Sequence, residues 1–270
     1  MHDVRGSVDR TSRLRRMPYT RRSMPPNRVV LVTGAARRIG AQIATHLHAS
    51  GADVAIHCRH SVAQAAALVA RLNAARADSA RAFEADLSQA AACERLVKAS
   101  GDWHGRIDAL VNNASTFLRT PAGSVDEPLW ASIVDGNLKA AFFTSQAAVP
   151  WLRATRGAIV NVTDARADRP LAGFSVYAAA KAGIVALTRA MALELAPAVR
   201  VNAVAPGSLD WPEHEVFTDA EQRAIEAAIP LRRIGTGEDV ARAIAFLIDD
   251  ADYVTGHVLH VDGGSSLVSR

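Results

Sequence analysis

From Asn27 onward, short runs rich in valine and isoleucine alternate with alanine-rich stretches of helical spacing. That alternation is the pattern of a parallel sheet covered by helices on both faces. Strands are expected at residues 29–33, 53–57, 80–85, 109–111, 158–162, 200–203 and 258–261, with helices between them. Pro197 and Pro206 mark stops or turns, because proline neither continues a helix nor donates to a sheet ladder. The chain has no internal repeat and no interior linker, so residues 27–270 read as one α/β domain.

Composition matters mainly for what it excludes. An apolar fraction of 49% and a charged fraction of 21% are those of an ordinary globular protein. The formal charge of +4 invites a nucleic-acid reading until the charge is located. Residues 1–26 carry seven arginines against two aspartates, a net of +5, which leaves −1 for residues 27–270. The basicity therefore belongs to an N-terminal extension, and nucleic acid is not an expected partner. The extension has no apolar periodicity and is expected to be disordered. Rich in Arg, Ser and Thr and poor in acids, it resembles an organellar presequence. A solvated extension, or a start at Met17 or Met24, is the plainer account. Two cysteines, Cys58 and Cys93, offer neither a metal set nor a disulfide framework, so no metal is expected and a reducing, cytoplasmic setting fits. No run is expected to reach the ~18 apolar residues of a membrane span.

The first expected strand runs into Thr33-Gly34-Ala35-Ala36-Arg37-Arg38-Ile39-Gly40 and then an amphipathic helix. A tight turn feeding a helix N-terminus offers backbone N–H groups and a positive dipole end, which suit a pyrophosphate. Two of the three usual glycines of a dinucleotide loop are present, and an ordinary strand-to-helix turn would read similarly. The second strand ends in His57-Cys58-Arg59-His60-Ser61. NAD-binding folds place an acid about 20 residues past the loop for the ribose 2′-hydroxyl, and here there is none. Arg59, His60 and Ser61, with Arg38 nearby, suit a 2′-phosphate, hence NADPH; they would equally end a strand in solvent. Asp86-Leu87 after the third strand suits an adenine, or caps the next helix. Asn112-Asn113-Ala114-Ser115-Thr116-Phe117 follows the fourth strand, where an asparagine can bond backbone and cofactor together. Asn137 is polar amid apolar neighbours and is expected to kink its helix or hold water.

Asn161 to Lys181 carries the chemistry. Tyr177 and Lys181 stand four apart, on one face of an expected helix. Asp164, thirteen positions before Tyr177, falls at a strand end, where open α/β sheets keep their ligands. Such a trio can hold a tyrosine's proton ready for transfer.

These motifs resemble the short-chain dehydrogenases/reductases. The T-G-x-x-x-x-I-G loop, N-N-A-S, Y-x-x-x-K, the Pro206-Gly207 turn and the terminal Val261-Asp262-Gly263-Gly264 match that family in order. Five ordered motifs over ~240 residues are far more specific than a lone glycine loop. The resemblance implies a doubly wound Rossmann fold, a seven-stranded parallel sheet flanked by helices, in a homotetramer or dimer. It also implies cofactor contacts at Gly34, Arg37, Arg38, Ile39, Gly40, His57, Arg59, His60, Ser61, Asp86, Leu87, Asn113, Ala114, Ser115, Tyr177, Lys181, Pro206, Gly207 and Ser208.

The chain departs from the family where most members have a serine, at Asp164. That aspartate, the run T-G-A-A-R-R-I-G, Ser115-Thr116-Phe117, and the pattern D-x-x-x-x-x-P-L-x-G-F/Y-x-x-Y-x-x-x-K resemble the pteridine reductase branch. Carried over by position, Asp164, Tyr177 and Lys181 would be catalytic and Phe117 would stack on a pterin. Ser115 would touch substrate and cofactor, and Arg38 would reach phosphate or substrate. The chemistry agrees. In carbonyl reduction a serine donates to an oxygen gaining charge, whereas an ionised carboxylate would repel it. Reducing a pterin C=N bond instead leaves a nitrogen needing a proton, with ring N–H groups seeking an acceptor. The expected activity is NADPH-dependent reduction of a dihydropterin, extending to dihydrofolate. The alternatives are a 3-oxoacyl thioester reductase and a non-catalytic NADP-binding sensor. Residues 208–230, with Trp211, Pro212 and Phe217, either cover the substrate or pack a helix pair.

Overall fold

The computed structural model describes residues 28–210 and 218–268. The basic extension, and Trp211, Pro212 and Phe217 of the expected cover, lie outside the described residues. All seven expected strands form: β1 (Val29–Val32), β2 (Asp53–Cys58), β3 (Ala80–Glu84), β4 (Ala109–Asn112), β5 (Ala158–Val162), β6 (Arg200–Pro206) and β7 (Val258–Val261). They make one parallel sheet in the order β3-β2-β1-β4-β5-β6-β7.

β1 shows how the sheet sorts its layers. All four of its residues are buried, and alternate side chains face opposite sides. Val30 and Val32 pack with Ile43 of helix α1 (Arg38–Ala49), Leu68 of α2 (Val62–Ala75) and Ile244 of α8 (Gly237–Asp249). Leu31 packs with Leu96 of α3 (Ala90–His104), Leu152 of α5 (Ala140–Thr155) and Met191 of α6 (Ser175–Leu195). Two further α-helices lie among the described residues, α4 (Glu127–Val134) and α7 (Asp219–Ala228). The chain winds outward from β1 in one direction and from β4 in the other. A crevice opens where that winding reverses, above the carboxyl ends of these strands.

Three local outcomes differ from the sequence reading. β6 runs on to Pro206, which still pairs with Val261 and accepts the Ala165 N–H at 2.8 Å; a proline at a strand's last position needs no donor of its own. α8 begins at Gly237, ahead of the start at Val240 expected from the sequence, because Thr236, an expected cap, forms a capping box with Asp239. α6, 21 residues long with mean hydropathy 1.3, has the length and apolar character of a membrane span, contrary to expectation. Its alanines raise that mean, and it packs on the sheet through Met191, Ala192 and Leu195, which share a core with Ile159 and Val201.

Candidate active site

The crevice is a cleft of about 860 Å³, and its floor is the turn from β1 to α1. Gly34 has φ 62°, and a Cβ there would lie 2.9 Å from Ala114 Cα. A Cβ on Gly40 would collide with the Gly34 carbonyl oxygen. The turn is clamped to the end of β4: Thr33 Oγ1 accepts the N–H groups of Asn113 and Ala114 at 2.9 and 3.0 Å. Asn113 Nδ2 donates back to the carbonyls of Thr33 and Gly34 at 2.9 and 3.1 Å. No side chain caps α1 and no acid stands in its first turn. A bare helix N-terminus behind a cradle that a Cβ would fill fits a dinucleotide pyrophosphate. Gly40→Ala is expected to weaken nucleotide binding at least tenfold, about 1.4 kcal/mol, measured by fluorescence titration with the reduced dinucleotide.

At the end of β2, Arg59, His60 and Ser61 line the cleft mouth, with no carboxylate among them. His57 also lines the cleft, but both its ring nitrogens are committed. Nδ1 accepts the Gly34 N–H at 3.0 Å, so the proton sits on Nε2 and is donated to the Ala85 carbonyl at 3.1 Å. Burial lowers its pKa and keeps it neutral. At His57, an expected cofactor contact, the ring braces the glycine turn against the end of β3. Asp86 is not on the cleft wall; Leu87 is. Asp86 pairs with Arg59 at 3.0 Å and accepts the Ser88 N–H at 3.1 Å. Burial would raise its pKa, but the Ser88 bonds and the positive charge of Arg59 outweigh that and lower it.

Arg37, Arg38, Ile39 and Ala114 line the same side, and Pro206, Gly207 and Ser208 form the opposite rim. Arg38, expected on phosphate or substrate, lines the cleft and donates to the Asp210 carbonyl at 3.3 Å. Gln42 Nε2 donates to the Asp210 carboxylate at 3.1 Å. These two bonds tie the rim to α1.

The sequence trio converges. The Tyr177 hydroxyl donates to Asp164 Oδ2 at 2.8 Å, while Asp164 Oδ1 accepts the Arg166 N–H at 2.7 Å. Lys181 is fully buried, donates to the Val162 carbonyl at 3.0 Å, and holds its Nζ 5.6 Å from the Tyr177 ring centroid. Burial, then the charge and hydrogen bond of Asp164, push the Tyr177 pKa well above 10; Ser115 and Arg166 oppose the rise. Burial brings Lys181 down to about 8, against the pull of Asp164. Tyr177 is therefore protonated at neutral pH, a donor aimed at a carboxylate.

Phe117 is half-exposed beside this pair. Its ring stacks on Phe174 at 4.7 Å and 8°, and meets Tyr177 edge-on at 4.8 Å. Phe174 is a site residue that sequence reasoning missed, although the G-F of the quoted pattern contains it. Thr33 and Arg166, which also lines the cleft, were missed too. The expected break in the helix at Asn137 is a π-helical turn (Asp135–Lys139) between α4 and α5, and the side-chain oxygen and nitrogen of Asn137 are bonded within the protein.

What the sheet and the cleft define together is an oxidoreductase that takes a nicotinamide cofactor. The chain belongs to the short-chain dehydrogenase/reductase family; a family model described as enoyl-(acyl carrier protein) reductase matches residues 34–266. Pteridine reductase 1 of Leishmania tarentolae is 37% identical, over 90% of this chain and 98% of its own length. A 3-oxoacyl-[acyl-carrier-protein] reductase of Staphylococcus aureus is 36% identical, over 89% of this chain and 99% of its own. The relatives agree on reduction and divide on substrate.

Proposed function

We propose that the protein is an NADPH-dependent pteridine reductase that reduces a C=N bond of a dihydropterin and accepts dihydrofolate. The observation that carries this reading is the 2.8 Å hydrogen bond from Tyr177 to Asp164. A carboxylate beside the proton donor would repel an oxygen gaining negative charge. It would accept the N–H groups of a heterocycle, leaving the Tyr177 proton for the ring nitrogen. Phe117, with Phe174 behind it, offers a stacking wall for a flat ring.

The cofactor supplies hydride when bound. Gly34, Arg37, Ile39 and Gly40 would hold its pyrophosphate, and Arg38 would join them on leaving Asp210. Arg59, His60 and Ser61 would take the 2′-phosphate and so favour NADPH, with Arg59 exchanging its ion pair with Asp86 for the phosphate. Leu87 and Asp86 would border the adenine. Asn113, Ala114, Lys181, Pro206, Gly207 and Ser208 would surround the nicotinamide half. Catalysis would fall to Asp164, Tyr177 and Lys181, with Ser115 and Phe117 on the substrate. A cytoplasmic homotetramer completes the proposal.

The similarity to a 3-oxoacyl thioester reductase at nearly equal identity supports a second reading, carbonyl reduction. One experiment separates the two: NADPH and NADH oxidation followed in parallel with dihydrobiopterin, dihydromonapterin, dihydrofolate and an acetoacetyl thioester. Pterin turnover with NADPH preferred is the expected result. Turnover of the thioester alone overturns the proposal.

A further inference from the structure

The turn that follows β5 brings two opposite charges into the cleft. Asp164 Oδ1 accepts the Arg166 N–H at 2.7 Å and the Asp164 carbonyl accepts the Ala167 N–H at 3.0 Å, so the chain doubles back and both side chains line the cleft. Arg169, three residues on, is exposed and donates to the Val268 carbonyl at 3.1 Å. Arg166 is half-buried. Burial and Asp164 raise the Tyr177 pKa and the charge of Arg166 opposes them, so the guanidinium stands within electrostatic reach of the reacting hydroxyl.

Among the described residues, the other arginines and the lysine of the cleft wall already have a use. Arg37, Arg38 and Arg59 stand in the dinucleotide half, and Lys181 holds its Nζ 5.6 Å from the Tyr177 ring. Reduction of a neutral dihydropterin ring gives Arg166 no comparable work, since a nearby guanidinium disfavours the protonated ring nitrogen. A second cation borders the same wall. Arg119, two residues past Phe117 and exposed, holds its Cζ 5.4 Å from the centroid of Phe174, the ring stacked on Phe117. That cation–π contact keeps a positive charge at the edge of the surface a flat ring would lie on.

We propose that Arg166, with Arg119 in support, binds a phosphomonoester carried on the short side chain of the pterin, so that the preferred substrates are phosphorylated dihydropterins. Such an ester brings a charge of about −1.5 to −2 and three acceptor oxygens, which suit the fork of a guanidinium. The carboxylates of dihydrofolate lie a whole aryl arm from the ring, whereas the charge of Arg166 is felt at Tyr177 itself. This specificity rests on the pterin reading above and extends it from the ring to its substituent.

The test is steady-state turnover, by the full chain with NADPH, of dihydromonapterin and of its 3′-phosphate, which share the reacting C=N bond and differ in charge. Wild type is expected to show a kcat/KM roughly tenfold higher for the ester, the worth of about one hydrogen bond to a charged group. That preference should shrink as salt is added. Arg166→Met should bring the ratio of the two values to about one, Arg166→Lys should retain part of it, and Arg119→Ala should lower it by less. Because the readout is a ratio, a general loss of rate does not mimic the effect. Thermal unfolding shows whether each variant is folded, and the wild-type ratio with its decline in Arg119→Ala decides the matter if Arg166→Met does not fold. Equal turnover of ester and alcohol by wild type, or a preference that survives Arg166→Met, overturns the proposal and leaves the pterin reading intact. Turnover of neither overturns both.

Discussion

Tyr177→Phe is expected to lower kcat for dihydropterin reduction by roughly 10²- to 10⁴-fold, the range for one positioned acid–base group. The substitution removes one oxygen and keeps the ring that meets Phe117 edge-on, so the stacking wall should survive. It leaves Asp164 Oδ2 without its hydrogen-bond donor, costing about 1 kcal/mol. Affinity for NADPH should change little, because the turn that would hold the pyrophosphate is fixed by Thr33 and Asn113 and not by the Tyr177 hydroxyl, which is bonded to Asp164. Steady-state kinetics beside a fluorescence titration separate these quantities. A variant within tenfold of wild type would assign the proton to another group, with Asp164 the first candidate.

The parts of this site that were legible in the sequence are those whose geometry is local. Tyr177 and Lys181 meet because i and i+4 share a helix face, and the glycine turn is readable because a strand precedes it and a helix follows. The sheet was legible for the same reason: strands buried on both faces announce themselves as apolar runs. Asp164 was legible through a resemblance, since no local rule brings a residue thirteen positions upstream to a tyrosine hydroxyl. What stayed hidden were the roles that depend on partners distant in the chain. His57 reads as one more polar residue at a strand end, until its two nitrogens are found bonded to Gly34 and Ala85. Arg38 reads as a phosphate ligand, yet its guanidinium reaches a carbonyl 172 residues away. Phe174 lies in an apolar stretch, and only the path of its loop lays it flat against Phe117. Asn137 is the sharpest case. Its identity suggests a kink or a water site, but not that the fold spends its side-chain oxygen and nitrogen on the loop carrying Ser115 and Thr116, and on its own helix.

Asp164→Ser is the substitution that should divide the two substrate readings. Dihydropterin kcat/KM is expected to fall roughly 100-fold, the lower range for loss of an acid–base partner. The pH profile should move with it, in a direction the charges fix. Tyr177 acts while protonated, so activity is lost as pH rises through its pKa. In the native site burial and the Asp164 carboxylate both hold that pKa well above 10. Removing the carboxylate leaves burial alone, so the tyrosine titrates at lower pH and the alkaline limb shifts toward neutrality. Lys181 moves the same way: the carboxylate opposes the burial that brings it to about 8, and its loss drops the lysine further. A serine would also supply the hydroxyl donor that an oxygen gaining charge requires, so turnover of an acetoacetyl thioester should rise in the variant relative to wild type. Unchanged pterin turnover across the pH range would remove Asp164 from the chemistry. A thioester rate that does not rise would mean that the wall beyond residue 164, Phe117 and Phe174 foremost, excludes that substrate by shape.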